Sequence, residues 1–183
     1  LYGRLGTGST ANVGDGANEM DDSLAPIDLG VGRTASQIAV GAAHSCAVLD
    51  NYDVKCWGRN SDGQLGYSDT VNRGDQSGEM GTSLQAVQFP TGRSARTVAA
   101  GANHTCAILD NSSVICWGLN DYGQLGQNST SSIGDSSTTK VEDTTPIDLG
   151  VGRTALALAA GDSHTCAILD NSSVKCWGAG GNG

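Results

Sequence analysis

The chain has 183 residues, enough for one domain or two, with 27 Gly, 4% aromatic and 38% hydrophobic residues. Its 10 Lys and Arg stand against 19 Asp and Glu, a net charge of −9. That balance argues against a nucleic-acid partner, because binding phosphates needs a basic face. No apolar run approaches the roughly 18 residues needed for a membrane span, and no basic segment followed by an apolar stretch opens the chain as a secretion signal would. The first residue is Leu, not Met, so we expect a processed or trimmed piece of a longer chain.

Taken in chain order, the first predicted elements are four short strands. They are "PIDL" (26–29), "TASQIAV" (34–40), "SCAVL" (45–49) and "VKCWG" (54–58). Val, Ile, Thr and Trp supply the strand propensity. Gly30 and Gly32 part the first two strands, and "DNYD" turns between the last two. A polar segment rich in Gly, Ser and Asp follows at 67–85, and again at 127–145. Both are long for simple connections and could carry contacts.

The set then recurs with a period of 60 residues. Gly41, Gly101 and Gly161 are in phase, as are His44, His104 and His164. Trp57, Trp117 and Trp177 keep the same phase, and so do Arg33, Arg93 and Arg153 and Asp50, Asp110 and Asp170. Four short strands per unit at this spacing predict propeller-type blades, with a solenoid as the alternative. Gly punctuates nearly every window that could otherwise be read as helix.

The six cysteines form three equivalent pairs: Cys46 and Cys56, Cys106 and Cys116, Cys166 and Cys176. Each pair flanks a hairpin turn, which would place its members opposite each other and within reach of a disulfide. Paired cysteines point to an oxidising, extracellular compartment. The competing reading is a metal site using the His-x-Cys of each unit, but each of three identical sites would need a second pair of ligands. No metal and no cofactor are expected. Asn103, Asn111, Asn128 and Asn171 each begin an Asn-x-Ser/Thr sequon and are candidate glycosylation sites. The three His are expected inside the blades with their ring nitrogens bonded to backbone, and the three Trp between neighbouring blades. "RGD" at 73–75 aligns with "VGD" and "IGD", so its Gly-Asp belongs to the repeat. The acidic stretches at 15–23 and 141–143 lack the spacing of a calcium loop. No catalytic constellation stands apart from the repeat, and no enzyme is expected.

The string "VAAGANHTCAILDNSSVICWGLNDYGQLG" (98–126) resembles the regulator of chromosome condensation repeat family. The resemblance rests on Gly-x-x-His-Ser/Thr, a small-residue strand, Trp-Gly and Asn-x-x-Gly-Gln-Leu-Gly. It implies a propeller, typically of seven four-stranded blades. Roles in the family range from nucleotide exchange on chromatin to ultraviolet-B reception and secreted β-lactamase inhibition, so the fold leaves the function open. Paired Cys, sequons and acidity separate this chain from the nuclear exchange factor. One framework Trp per repeat separates it from the photoreceptor.

The expectation is therefore an all-β protein of three repeats (1–66, 67–126 and 127–183), built of four-stranded blades and incomplete as a closed propeller on its own. The expected role is a non-enzymatic extracellular structural scaffold, a unit of a periodic assembly or filament. Its partners would be copies of itself or adjacent repeats of a longer chain. The alternative is a secreted or surface propeller that grips a protein or glycan through 67–85 and 127–145. The chain starts and stops at nearly the same phase, which suggests a joint where "GAGGNG" of one unit meets "LYGRLG" of the next.

Overall fold

A computed structural model describes residues 2–181; the Leu1 and Asn182–Gly183 ends of the expected joint lie outside the described residues. Three antiparallel sheets of three strands each follow one another along the chain. The first holds β1 (Ala35–Val40), β2 (His44–Leu49) and β3 (Val54–Gly58). The second holds β4 (Ala95–Ala100), β5 (His104–Leu109) and β6 (Val114–Gly118). The third holds β7 (Ala155–Ala160), β8 (His164–Leu169) and β9 (Val174–Gly178). Short 3-10 turns at Asp21–Ser23 and Val141–Asp143 are the helical elements of the described residues.

The blades are three-stranded, not four-stranded. "PIDL" at 26–29 is irregular, and so are its counterparts at 86–89 and 146–149. Pro26 and Pro146 have no N–H to give a ladder. The later counterparts each give one backbone bond to the edge of the preceding sheet: Val87 N–H to Val54 C=O at 2.8 Å, and Ile147 N–H to Val114 C=O at 2.8 Å. A second stitch joins Gly58 to Arg73 and Gly118 to Ile133 as isolated antiparallel bridges. The fourth strand is thus replaced by a wandering segment, 67–87 on the first sheet and 127–147 on the second.

The hairpin between β2 and β3 closes through Leu49 N–H to Asp53 C=O at 2.8 Å. Its left-handed residue is Tyr52, matched by Ser112 and Ser172. A short turn ending in one left-handed residue suits the twist of an antiparallel pair.

The core lies between sheets, not within one. Cys46, Val48, Val54, Cys56 and Leu65 of the first blade meet Val98, Ala107, Leu109, Ile115 and Trp117 of the second. One period later, Cys106, Ile108, Val114, Cys116 and Leu125 meet Ala155, Ala167 and Leu169 of the third. Alternation along each strand sends one set of side chains forward and the other back. The middle sheet is covered by its two neighbours and the first is backed by Ile27, Leu29, Met80 and Leu84, so β2, β3, β5 and β6 are all buried at every position.

Candidate functional site

The strongest recurring construction is a hydrogen-bonded relay between blades. His44 Nε2 lies 2.9 Å from Thr105 Oγ1. The Thr105 hydroxyl donates to Gln64 C=O at 2.9 Å, and the Trp117 indole donates to the same carbonyl at 3.0 Å. Since the threonine proton is committed to Gln64, His44 must donate from Nε2, which fixes its tautomer. His44 Nδ1 is left buried without a partner. The relay repeats one period on as His104, Thr165, Gln124 and Trp177. At the first blade, Ser45 and Trp57 both donate to Arg4 C=O.

This corrects the expected role of histidine. The buried ring reaches a side chain of the next blade, not backbone within its own. Gly41 and Gly101 explain how the ring fits: a Cβ on either would run into the imidazole of His44 or His104 and into a carbonyl of the following blade. Burial, with a smaller repulsion from His104, lowers the His44 pKa to about 4. Burial and His164 likewise lower that of His104 to about 4. Both rings are therefore neutral links. His164 is exposed.

The disulfides join Cys46 to Cys56, Cys106 to Cys116 and Cys166 to Cys176, with Cα atoms 4.0 Å apart in each. The geometry follows from strand parity. Cys56 turns its N–H and C=O away from β2, toward the Tyr67 hydroxyl, at 2.9 Å each. It therefore sits opposite Cys46 at a non-hydrogen-bonded position, the closer of the two kinds of cross-strand pair. Among the described residues, no group of three His, Cys, Asp or Glu could hold a metal ion.

The four sequons fall into two kinds. Asn111, Asn128 and Asn171 are exposed. Asn111 and Asn171 each turn their Oδ1 inward to the hairpin, accepting from the N–H and hydroxyl of Ser113 and Ser173. Asn103 is half-buried, and its sequon residue Thr105 is consumed by the relay. "RGD" at 73–75 is likewise occupied internally. Arg73 pairs with Asp69 at 2.7 Å and lies 5.5 Å from the Tyr67 ring centroid. The N–H groups of Gly74, Asp75 and Gln76 all donate to Glu79 Oε2. In the acidic stretch at 15–23, Glu19 Oε2 accepts the N–H groups of Gly14 and Gly16, so it serves the loop itself.

A cleft of ≈ 240 Å³ opens between the outer segments, with Tyr67, Asp69, Arg73, Gln85 and Glu142 on its walls. Burial raises the Tyr67 pKa well above its ordinary value, against the opposing pull of the Cys56 backbone and Arg73. Tyr67 was not legible from the repeat, because Thr7 and Gln127 occupy the equivalent positions. The relay's hydroxyl partner was legible in principle, since Ser45, Thr105 and Thr165 follow each His in phase.

Stacked, disulfide-closed sheets that exchange a His–Thr–Trp relay define a tandem repeat protein of β-propeller blades. The chain belongs to the regulator of chromosome condensation (RCC1) repeat family. One family model matches residues 54–108 and 111–168, and a second matches 35–64, 95–124 and 156–183. Among curated proteins, the ultraviolet-B receptor UVR8 of Arabidopsis thaliana is 34% identical over 149 residues, 80% of this chain and 30% of the receptor. The probable E3 ubiquitin-protein ligase HERC4 of Homo sapiens is 30% identical over 147 residues, 80% of this chain and 12% of the ligase. Among solved structures, human WBSCR16 superposes with a TM-score of 0.62 at 23% identity, over 80% of this chain and 34% of that one. Prp20p of Saccharomyces cerevisiae gives 0.60 at 23% identity, over 79% and 32%. These two likenesses establish the fold alone. The chain spans about a third or less of the length of each of these four proteins.

Proposed function

We propose that this chain is a non-enzymatic structural scaffold of the extracellular space, one unit of a larger periodic assembly that works through protein–protein contacts. The observation that carries this reading is the inter-blade interface, built twice with the same residues in the same roles. A construction that repeats at a fixed period suits extension by further equivalent units. The disulfide in every blade supports an oxidising compartment. Exposed Asn111, Asn128 and Asn171 would carry any glycans. Electron microscopy of the native material, with non-reducing peptide mapping, tests the reading. Regular extended arrays with three intra-hairpin disulfides are expected. Isolated particles with free thiols would overturn it.

A second reading is favoured by the cleft between 67–85 and 141–143, where Arg73, Tyr67 and Glu142 converge. It makes the chain a surface propeller that binds a protein or glycan through its variable loops. Saturable binding to glycans or to a surface extract, abolished by Arg73→Ala, would favour this reading over the scaffold.

A further inference from the structure

We propose that the cleft beside Tyr67 and a second cavity beside Tyr52 form one groove that binds a neutral oligosaccharide. This rests on the surface-propeller reading and names its ligand. The cleft holds ≈ 240 Å³. The second cavity holds ≈ 520 Å³, between Tyr52 and Asp53 of the first hairpin, Phe89 and Arg93 of the chain leading into β4, and Asp143. Gln88 and Glu142 line both, so the two adjoin along those side chains. Ligand clefts occupy about 300–1,000 Å³, and the second cavity extends the first into that range. The walls come from residues 52–53, 66–94 and 141–143, all internal to the chain.

The groove is where the repeat is broken. Residues that build a blade recur at the 60-residue period, and residues that serve one site need not. Tyr52 is matched by Ser112 and Ser172, Tyr67 by Thr7 and Gln127, and Phe89 by Leu29 and Leu149. Arg73 is matched by Val13 and Ile133, Gln85 by Ala25 and Thr145, and Gln88 by Asp28 and Asp148. The chain has only 4 Tyr and 1 Phe, and Tyr52, Tyr67 and Phe89 all line this groove. Packing does not account for Tyr52. It is 58% exposed, at a left-handed φ of 65° that Ser112 and Ser172 adopt equally well. A tyrosine ring offers an apolar face and a polar tip, which suits the C–H face and hydroxyl edge of a pyranose.

The polar side chains point to sugar hydroxyls. Ser83, Gln85 and Gln88 line the cleft and are exposed. Their hydroxyl and amide groups donate and accept, as sugar hydroxyls do. Arg73 is held in place before a ligand arrives. It donates to Asp69 at 2.7 Å and to the Val71 and Asn72 carbonyls at 2.7 and 3.2 Å, against the Tyr67 ring. A side chain already immobilised loses little entropy on binding. Charge selects for a neutral sugar. Arg73 is paired with Asp69 and Arg93 with Asp110, while Asp53 and Asp143 add carboxylates to the second cavity. A uronate or sulfated sugar would meet like charge there. The groove suits a protein less. Its aliphatic residues Val87 and Val141 are 4% and 1% exposed, and Phe89 packs edge-on against Trp117. Protein hot spots need open apolar pockets. A peptide could not add a strand beside β3, because residues 67–87 already close that edge.

The test is calorimetric titration of the disulfide-intact chain with cellohexaose, maltohexaose and chitohexaose in turn, and with hexagalacturonate as an anion of the same length. Saturable binding of at least one neutral hexamer is expected. It should exceed the affinity of the corresponding dimer by about tenfold or more, because the dimer fills one cavity and the hexamer both. Tyr52→Ser places the residue of the other two blades in the second cavity alone, and Gln85→Ala trims the first alone. Each should weaken hexamer binding about tenfold at an unchanged melting temperature, through loss of a ring contact or of the amide's hydrogen bonds. Binding of none of the three neutral hexamers overturns the proposal, and so does tighter binding of hexagalacturonate. A hexamer indifferent to either variant, or bound no more tightly than its dimer, also overturns it. If a protein from a surface extract binds saturably and Arg73→Ala abolishes it, while no sugar binds, this proposal fails and the surface-propeller reading stands. If neither sugar nor protein binds, both fail.

Discussion

Residues that link blades are held more tightly than residues that decorate them. Thr105 accepts from His44 and donates its one proton to Gln64, so both links run through a single hydroxyl. Thr105→Val should cost about 1–3 kcal/mol by stranding a buried imidazole N–H. Thr105→Ser should restore most of that, since Ser45 performs the equivalent donation in the first blade; denaturant unfolding measures both. Gly101→Ala should cost about 1–3 kcal/mol, because the new methyl meets the His104 ring and Gly161 C=O. The lowered pKa of His44 and His104 has a definite sign. Neutral in the fold, they bind protons more readily when unfolded, so stability falls as pH drops from about 6.5 through about 4. Each ring would account for roughly 3 kcal/mol across that window. Melting temperature followed against pH should show this loss, and a His44→Gln, His104→Gln double variant should flatten it.

At the scale of elements, each blade is a three-stranded sheet, and the first two have their outer edges closed from a distance. The Tyr67 hydroxyl both accepts from and donates to Cys56, standing in for a strand at that point. Tyr67→Phe should therefore cost about 1–3 kcal/mol despite preserving the ring, with hydrogen exchange quickening at the Cys56 amide. Replacing Cys106 and Cys116 together by Ala opens a hairpin whose bridged residues are 10 apart in sequence. Loop-closure entropy puts that loss at up to about 3 kcal/mol. The Arg33–Asp50, Arg93–Asp110 and Arg153–Asp170 pairs keep the period, at 3.5, 3.3 and 3.4 Å, but all are partly exposed. Pairs of that kind contribute little. Their regularity reflects the loop they tie to the hairpin, where Asp50 also accepts the Thr34 N–H.

At the scale of the whole molecule, stability is distributed as in a short stack, where each unit depends on its neighbours. Strands β2, β3, β5 and β6 are buried at every position, whereas β9 is exposed or half-buried throughout. Amides of β2, β3, β5 and β6 should exchange slowest and those of β9 fastest. Uniform exchange across the three sheets would contradict this picture.

The 60-residue period was legible because glycines, His, Cys and Trp that serve one local geometry must recur wherever that geometry recurs. The same holds for β1, β2 and β3, whose ranges follow strand propensity and a short hairpin turn. The disulfide pairing was legible too, because two cysteines flanking one tight turn have little choice of partner. "PIDL" looks like a strand because its apolar residues do pack on a sheet, Ile27 and Leu29 against Ala47, Leu49 and Trp57, but its later counterparts give the preceding sheet one backbone bond each, and Pro26 and Pro146 have no N–H for a ladder. The His relay was legible only in its parts: a hydroxyl follows each His in phase, but donor and acceptor lie about one period apart and meet only when blades stack. Local pattern thus determined what each repeat is made of. Tertiary packing alone decided which repeat closes which edge, because the residues that meet across a blade interface lie about 60 positions apart and no local pattern brings them together.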